Sequence, residues 1–137
     1  MDNNLVEKTM KRSELKELIV EILTEVTDGY TTTMIRDAKN QKGVTLSKGE
    51  KVIVVFPKNR ADVTHIFSAN DPKRSNILMV RTMNLNKYVK GATKEPSEKL
   101  LYKMSDGIAK SVLGKRVEPD GYDQYGSPSW LLVAGLI

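Results

Sequence analysis

Three carboxylates fall within six residues at Glu118-Pro119-Asp120-Gly121-Tyr122-Asp123. Oxygen-rich clusters on a tight turn are what hard cations such as calcium require. The spacing does not complete such a site. An EF-hand loop needs Asp or Asn at its first, third and fifth positions, glycine at the sixth and glutamate at the twelfth. That order is absent, and no metal site is expected. Asp120 reads as the cap of a turn in which Gly121 supplies a positive φ. His65 is the single histidine. An imidazole acting as acid or base needs a nucleophile or an orienting carboxylate beside it. Asp62, three residues earlier, would project from the other face of a strand. The chain has no cysteine, which excludes thiolate nucleophiles, disulfides and cysteine-ligated zinc. No glycine-rich phosphate loop of the dinucleotide or Walker kind occurs. The residues therefore predict no catalytic group and no cofactor, and the protein reads as non-enzymatic.

The constellation that remains is cationic. The 137 residues carry a net charge of +5, distributed unevenly. Residues 1–28 hold four basic and seven acidic side chains, a net of −3. Residues 29–95 hold thirteen basic and five acidic ones, a net of +8, and residues 96–137 hold five of each. Lys48, Lys51, Lys58, Arg60, Lys73, Arg74, Arg81, Lys87, Lys90 and Lys94 lie in or beside expected turns. Turns gathered on one rim would bring these charges to a phosphate backbone. The contacts expected are Lys58, Arg60, Lys73, Arg74 and Arg81, with Tyr88 as a surface for base stacking. Phe56 and Phe67 sit in apolar runs and are expected in the core. A protein partner is the competing expectation, since lysines also serve solubility.

These residues need elements to position them. Residues 1–9 are polar and expected to be loose. Leu15, Leu18, Ile19, Ile22, Leu23 and Val26 line one face of a helix spanning residues 10–28, with Glu17, Glu21 and Glu25 as an acidic stripe. Tyr30–Ile35, Lys51–Phe56, Ala61–Phe67 and Asn76–Thr82 read as short strands between turns. Pro57 terminates the second of them. With no long crossover helix between them, antiparallel pairing is expected. Ser97 opens a second helical pattern, in which Leu100, Leu101, Met104, Ile108, Ala109 and Val112 share a face. Residues 115–129 are turn chemistry, and the apolar run Trp130–Ile137 is expected to return to the core. Leu15, Ile19 and Ile22 on the first helix, and Trp130 and Leu132 in the tail, are the expected contacts to a protein partner or to a second copy. No apolar run is long enough to span a bilayer as a helix.

Residues 34–89 resemble an SH3-like small barrel. The likeness rests on the polar loop Asp37–Ser47, on Leu46-Ser47-Lys48-Gly49-Glu50 feeding Lys51-Val52-Ile53-Val54-Val55, and on Met83-Asn84-Leu85-Asn86-Lys87-Tyr88-Val89 as a closing 3₁₀ turn. The aromatic loop residues and the tryptophan of signalling SH3 domains are absent, so no proline-peptide groove is implied. The run Met10-Lys11-Arg12-Ser13-Glu14-Leu15 and the closing block 114–137 resemble small proteins of tailed bacteriophages. The expected fold is α+β: an SH3-like antiparallel β-barrel over residues 30–89, with an N-terminal helix and, over residues 97–137, a C-terminal helix, turns and tail packed on it. The expected function is a phage-type interaction or assembly module, with nucleic-acid backbone binding as the alternative. The lack of cysteine and of a signal-like start implies a cytoplasmic protein, in the host cell if phage-encoded.

Overall fold

The structure, a computed structural model, describes residues 29–71 and 73–137. The loose N-terminus and the first helix expected from the sequence lie outside the described residues, and so do Leu15, Ile19 and Ile22.

The centre of the fold is the strand β4, Lys51–Val55, where Val52 and Val54 are buried and the residues between them are not. β-Branched residues at alternate positions favour the extended backbone and send one row of side chains inward. β1, Gly29–Thr33, lies antiparallel on one side, with Gly29 opposite Val55 and Thr33 opposite Lys51. β5, Val63–Ser68, lies on the other, with Val52 opposite Ser68 and Val55 opposite His65. β6, Leu78–Arg81, pairs with β5 so that Ile66 faces Leu78 and Val63 faces Arg81. The sheet order is β1-β4-β5-β6. Cross-strand partners share a face, so Val52, Val54, Thr64, Ile66, Leu78 and Val80 make the inner, buried face. Two short hairpins stand apart from this sheet: β2, Ala38–Lys39, with β3, Thr45–Leu46, and β7, Ala109–Lys110, with β8, Arg116–Val117.

The barrel expected for residues 30–89 does not form. The four strands make an open sheet whose outer members, β1 and β6, do not pair with each other, and the remaining strands form two separate two-stranded sheets. The reason lies in the chain after β6. It turns directly into a 3₁₀ helix, Thr82–Lys87, and has no strand left to carry across to β1. Beyond that helix the chain meets the end of β1 through one isolated bridge, Met34 to Val89, beside which the Lys90 N–H bonds the Thr33 carbonyl at 3.0 Å, and it adds no strand to the sheet. The fold class is therefore α+β with open sheets, without an SH3-like barrel.

Ser97 caps the helix α1, Glu98–Met104, accepting a hydrogen bond from the Leu100 N–H. This helix is shorter than its apolar pattern predicts. It stops before Asp106-Gly107, a pair unfavourable to a helix interior. Ala109 and Val112 still reach the core, from β7 and the turn after it, while Ile108 points out. Ser129 caps a last short helix, α2, Trp130–Val133. Trp130 is 1% exposed and joins the same core cluster as Val52, Val54, Ile66 and Leu101. Its indole N–H donates to the Thr93 hydroxyl at 2.9 Å, and that hydroxyl donates to the Val112 carbonyl at 2.8 Å. The tail thus closes the protein's own core through Trp130 and Leu131, leaving Leu136 and Ile137 exposed. Among the described residues no helix is long and apolar enough to cross a membrane.

Candidate functional site

Pro57 lacks an N–H and ends β4, so the chain leaves the sheet and turns at Pro57-Lys58-Asn59-Arg60, where the Arg60 N–H bonds the Pro57 carbonyl at 3.2 Å. A cleft of about 420 Å³ opens beside this exit, lined by Val55, Phe56, Pro57, Lys58, Arg74, Tyr122 and Gly126. Three separate stretches of chain build it, and each is fixed by its own backbone chemistry.

Arg74 arrives from the β5–β6 connection. Asp71 organises that loop. Its carboxylate accepts from the Ser75 hydroxyl at 2.8 Å and from the Asn76 N–H at 2.9 Å. The Ser75 hydrogen bond, followed by the Asn76 N–H, holds the Asp71 carboxyl below the usual carboxylate range. The Arg74 N–H returns to the Asp71 carbonyl, and Arg74 adopts φ 54°, the one positive value among the described non-glycine residues. A left-handed backbone at such a side chain costs on the order of 1–3 kcal/mol. The conformation folds the guanidinium over the Phe67 ring, 4.7 Å from its centroid. Phe67 is buried as expected, but on the outer face of the sheet and apart from the core cluster. A cation over a ring face is held there electrostatically while keeping its N–H donors at the edge.

Tyr122 comes from the C-terminal turns. Asp123 ties these together, its carboxylate accepting from the Tyr125 and Ser127 N–H groups at 2.8 and 3.0 Å and from the Ser111 hydroxyl at 2.6 Å. That occupies one carboxylate of the acid-rich loop, and among the described residues no group of three His, Asp or Glu side chains is placed to hold a metal. Tyr122 itself is 46% exposed, with its hydroxyl 3.4 Å from the Lys58 carbonyl.

The remaining expected contacts lie elsewhere. Arg60 and Arg81 line a second cleft of about 290 Å³ with Asp62, Val63, Met83 and Val133. There Asp62 receives Arg60 through two hydrogen bonds of 3.0 Å, which lower the Asp62 carboxyl and raise the guanidinium. Arg60 is thus compensated within its own turn. Lys73 is exposed next to Arg74. Tyr88 is half-buried against the core, and Arg36 stands over its ring at 5.3 Å. His65 sits on the outer face between Val55 and Met79, its pKa lowered by burial first and by the charge of Arg74 second. Of the expected partner contacts, Trp130 is in the core and Leu132 is half-buried. One residue lining the cleft was not singled out in the sequence: Tyr122, hidden among turn formers. Nothing but exposure distinguishes Tyr122 from the structural tyrosines, such as Tyr30, which packs edge-on against Tyr125 at 5.1 Å.

The chain's likeness to known proteins adds nothing to this geometry. The expected likeness to small phage proteins has no support among known proteins. Neither a protein-family model, nor a curated protein, nor a solved structure matches the sequence.

Proposed function

We propose that this domain binds nucleic-acid backbone without reading base sequence, as a binding module with no catalytic step of its own. Lys58 and Arg74 take phosphate oxygens, the exposed Lys73 next to Arg74 in the chain adds positive charge, and Tyr122 offers a ring to a base or sugar. One observation carries this reading: the cleft beside β4 gathers two cations and an exposed tyrosine, with no carboxylate among its lining residues. Phosphate binding needs that combination, since a nearby carboxylate would offset each cation. The strained backbone of Arg74 supports it, because such conformations concentrate where a side chain must be held for a ligand. The protein-interaction reading keeps fewer exposed side chains, Trp130 being spent on the core.

The test is fluorescence anisotropy with a mixed-sequence single-stranded oligonucleotide at 50 and 200 mM salt. Three phosphate contacts give a slope of log K against log salt of roughly −2, so affinity falls about 20-fold across that range. Lys58→Gln with Arg74→Gln should cut the slope by about 1.4. Absence of binding at 50 mM salt, or a slope unchanged in the double variant, rules the reading out.

A further inference from the structure

Tyr122 lines two clefts. Besides the one it shares with Lys58 and Arg74, it borders a second of about 440 Å³ between the β7–β8 hairpin and the C-terminal turns. Turns fix the backbone on either side of it. Before it, the Gly121 N–H bonds the Glu118 carbonyl at 2.8 Å, and after it the Asp123 N–H bonds the Ser127 carbonyl at 2.9 Å. Its hydroxyl reaches toward the first cleft, to the Lys58 carbonyl. The ring is thus a wall that both clefts use.

The clefts differ in charge. The first holds Lys58 and Arg74 with no carboxylate in its lining. In the second, among the described residues, Lys115 and Arg116 are matched by Glu118 and Asp123. A phosphate gains little there, since each carboxylate offsets a cation. The second cleft suits a neutral, flat group instead. Ile108 and Val117 add apolar surface to the Tyr122 ring, and Ile108 is 55% exposed. The exposed Gln124 amide in the same lining can donate or accept a hydrogen bond, so it favours no one kind of polar edge.

We infer that an unpaired nucleobase enters this second cleft and stacks on Tyr122 while the adjoining phosphate lies on Lys58 and Arg74, so that the ligand is a single strand and not a duplex. The inference rests on the proposed backbone binding at the first cleft and adds what the strand must present beside its phosphates. A base inside a duplex is paired and stacked, and reaching Tyr122 would require its extrusion. Stacking on a ring tolerates every base, because each has a π-face. The site therefore takes a base without reading which one it is.

The test uses the full chain at about 50 mM salt, where phosphate contacts are strong, and three ligands of one length. These are a mixed-sequence single-stranded DNA, the same backbone with a tetrahydrofuran abasic site at every position, and the blunt duplex. Fluorescence anisotropy should show the abasic strand binding about 5- to 150-fold more weakly than its parent, the worth of one base–aromatic stack. Its dependence on salt should match the parent's, because the phosphates are the same. The duplex should bind more weakly than the single strand. Tyr122→Leu should remove most of the difference between parent and abasic strands, and Ile108→Gln, which alters the second cleft alone, should reduce it. Equal affinities for parent and abasic strands would overturn the base site while leaving the phosphate cleft standing. So would a duplex bound as tightly as the single strand, or an Ile108→Gln chain that keeps the full difference. Binding of none of the three would overturn both.

Discussion

Replacing Trp130 with alanine should destabilise the domain by about 3–5 kcal/mol. The indole is 1% exposed and packs in the main core cluster, so its removal leaves a cavity in that cluster or forces the neighbouring side chains to collapse into it. It also removes the donor to Thr93, whose hydroxyl keeps its own bond to the Val112 carbonyl. Domains of this size hold about 5–15 kcal/mol in all, so this one side chain accounts for a large share. With a urea m value of about 1–3 kcal/mol/M, the unfolding midpoint followed by circular dichroism falls by at least about 1 M. Thr93→Val isolates the polar part. It orphans the buried indole N–H, at about 1–3 kcal/mol, and a double-mutant cycle with Trp130→Phe should give a coupling of about 0.5–3 kcal/mol. A Trp130→Ala loss below about 1 kcal/mol would refute the reasoning. It would return Trp130 to the surface as a contact for some partner.

Two further predictions rest on single contacts. Thr64 and Thr82 share a hydrogen bond of 2.8 Å between fully buried hydroxyls, so either Thr→Val change should cost about 1–3 kcal/mol while the double change comes close to neutral; additive losses by urea unfolding would contradict this. His65 gives one imidazole signal, and its NMR titration midpoint should lie below 6.5. A depressed imidazole pKa means that stability is full above pH 6.5 and declines as pH falls from there toward the folded-state value. Arg74→Met should raise the midpoint only in part, because burial is the larger cause; no movement would separate Arg74 from His65.

The strands around the centre were legible because their chemistry is local. Lys51–Val55 holds a run of β-branched residues that Pro57 keeps from extending further, and Leu78–Arg81 carries one buried residue at every second position. Closure was not legible. Whether β6 returns to β1 depends on the turn at Thr82, where the chain enters a 3₁₀ helix, and a resemblance in layout cannot weigh that turn. The second helix misled for a related reason: its apolar spacing ran to Val112, but Ala109 and Val112 meet the core from a hairpin. The cleft was half legible. Lys58 and Arg74 stood out as basic turn residues, yet sixteen positions separate them, and only the loop geometry set by Asp71 folds Arg74 back toward Lys58. Tyr122 joins them from the far end of the chain, a long-range contact with no sequence mark.

The most direct check on the cleft as a nucleic-acid backbone site is amide chemical-shift mapping during titration with a short mixed-sequence single strand at low salt. The account predicts that the largest changes fall on Val55, Phe56, Lys58, Arg74, Tyr122 and Gly126, the backbone around one cleft. Changes centred on Lys87, Lys90 and Lys94 instead, or none anywhere, would contradict it.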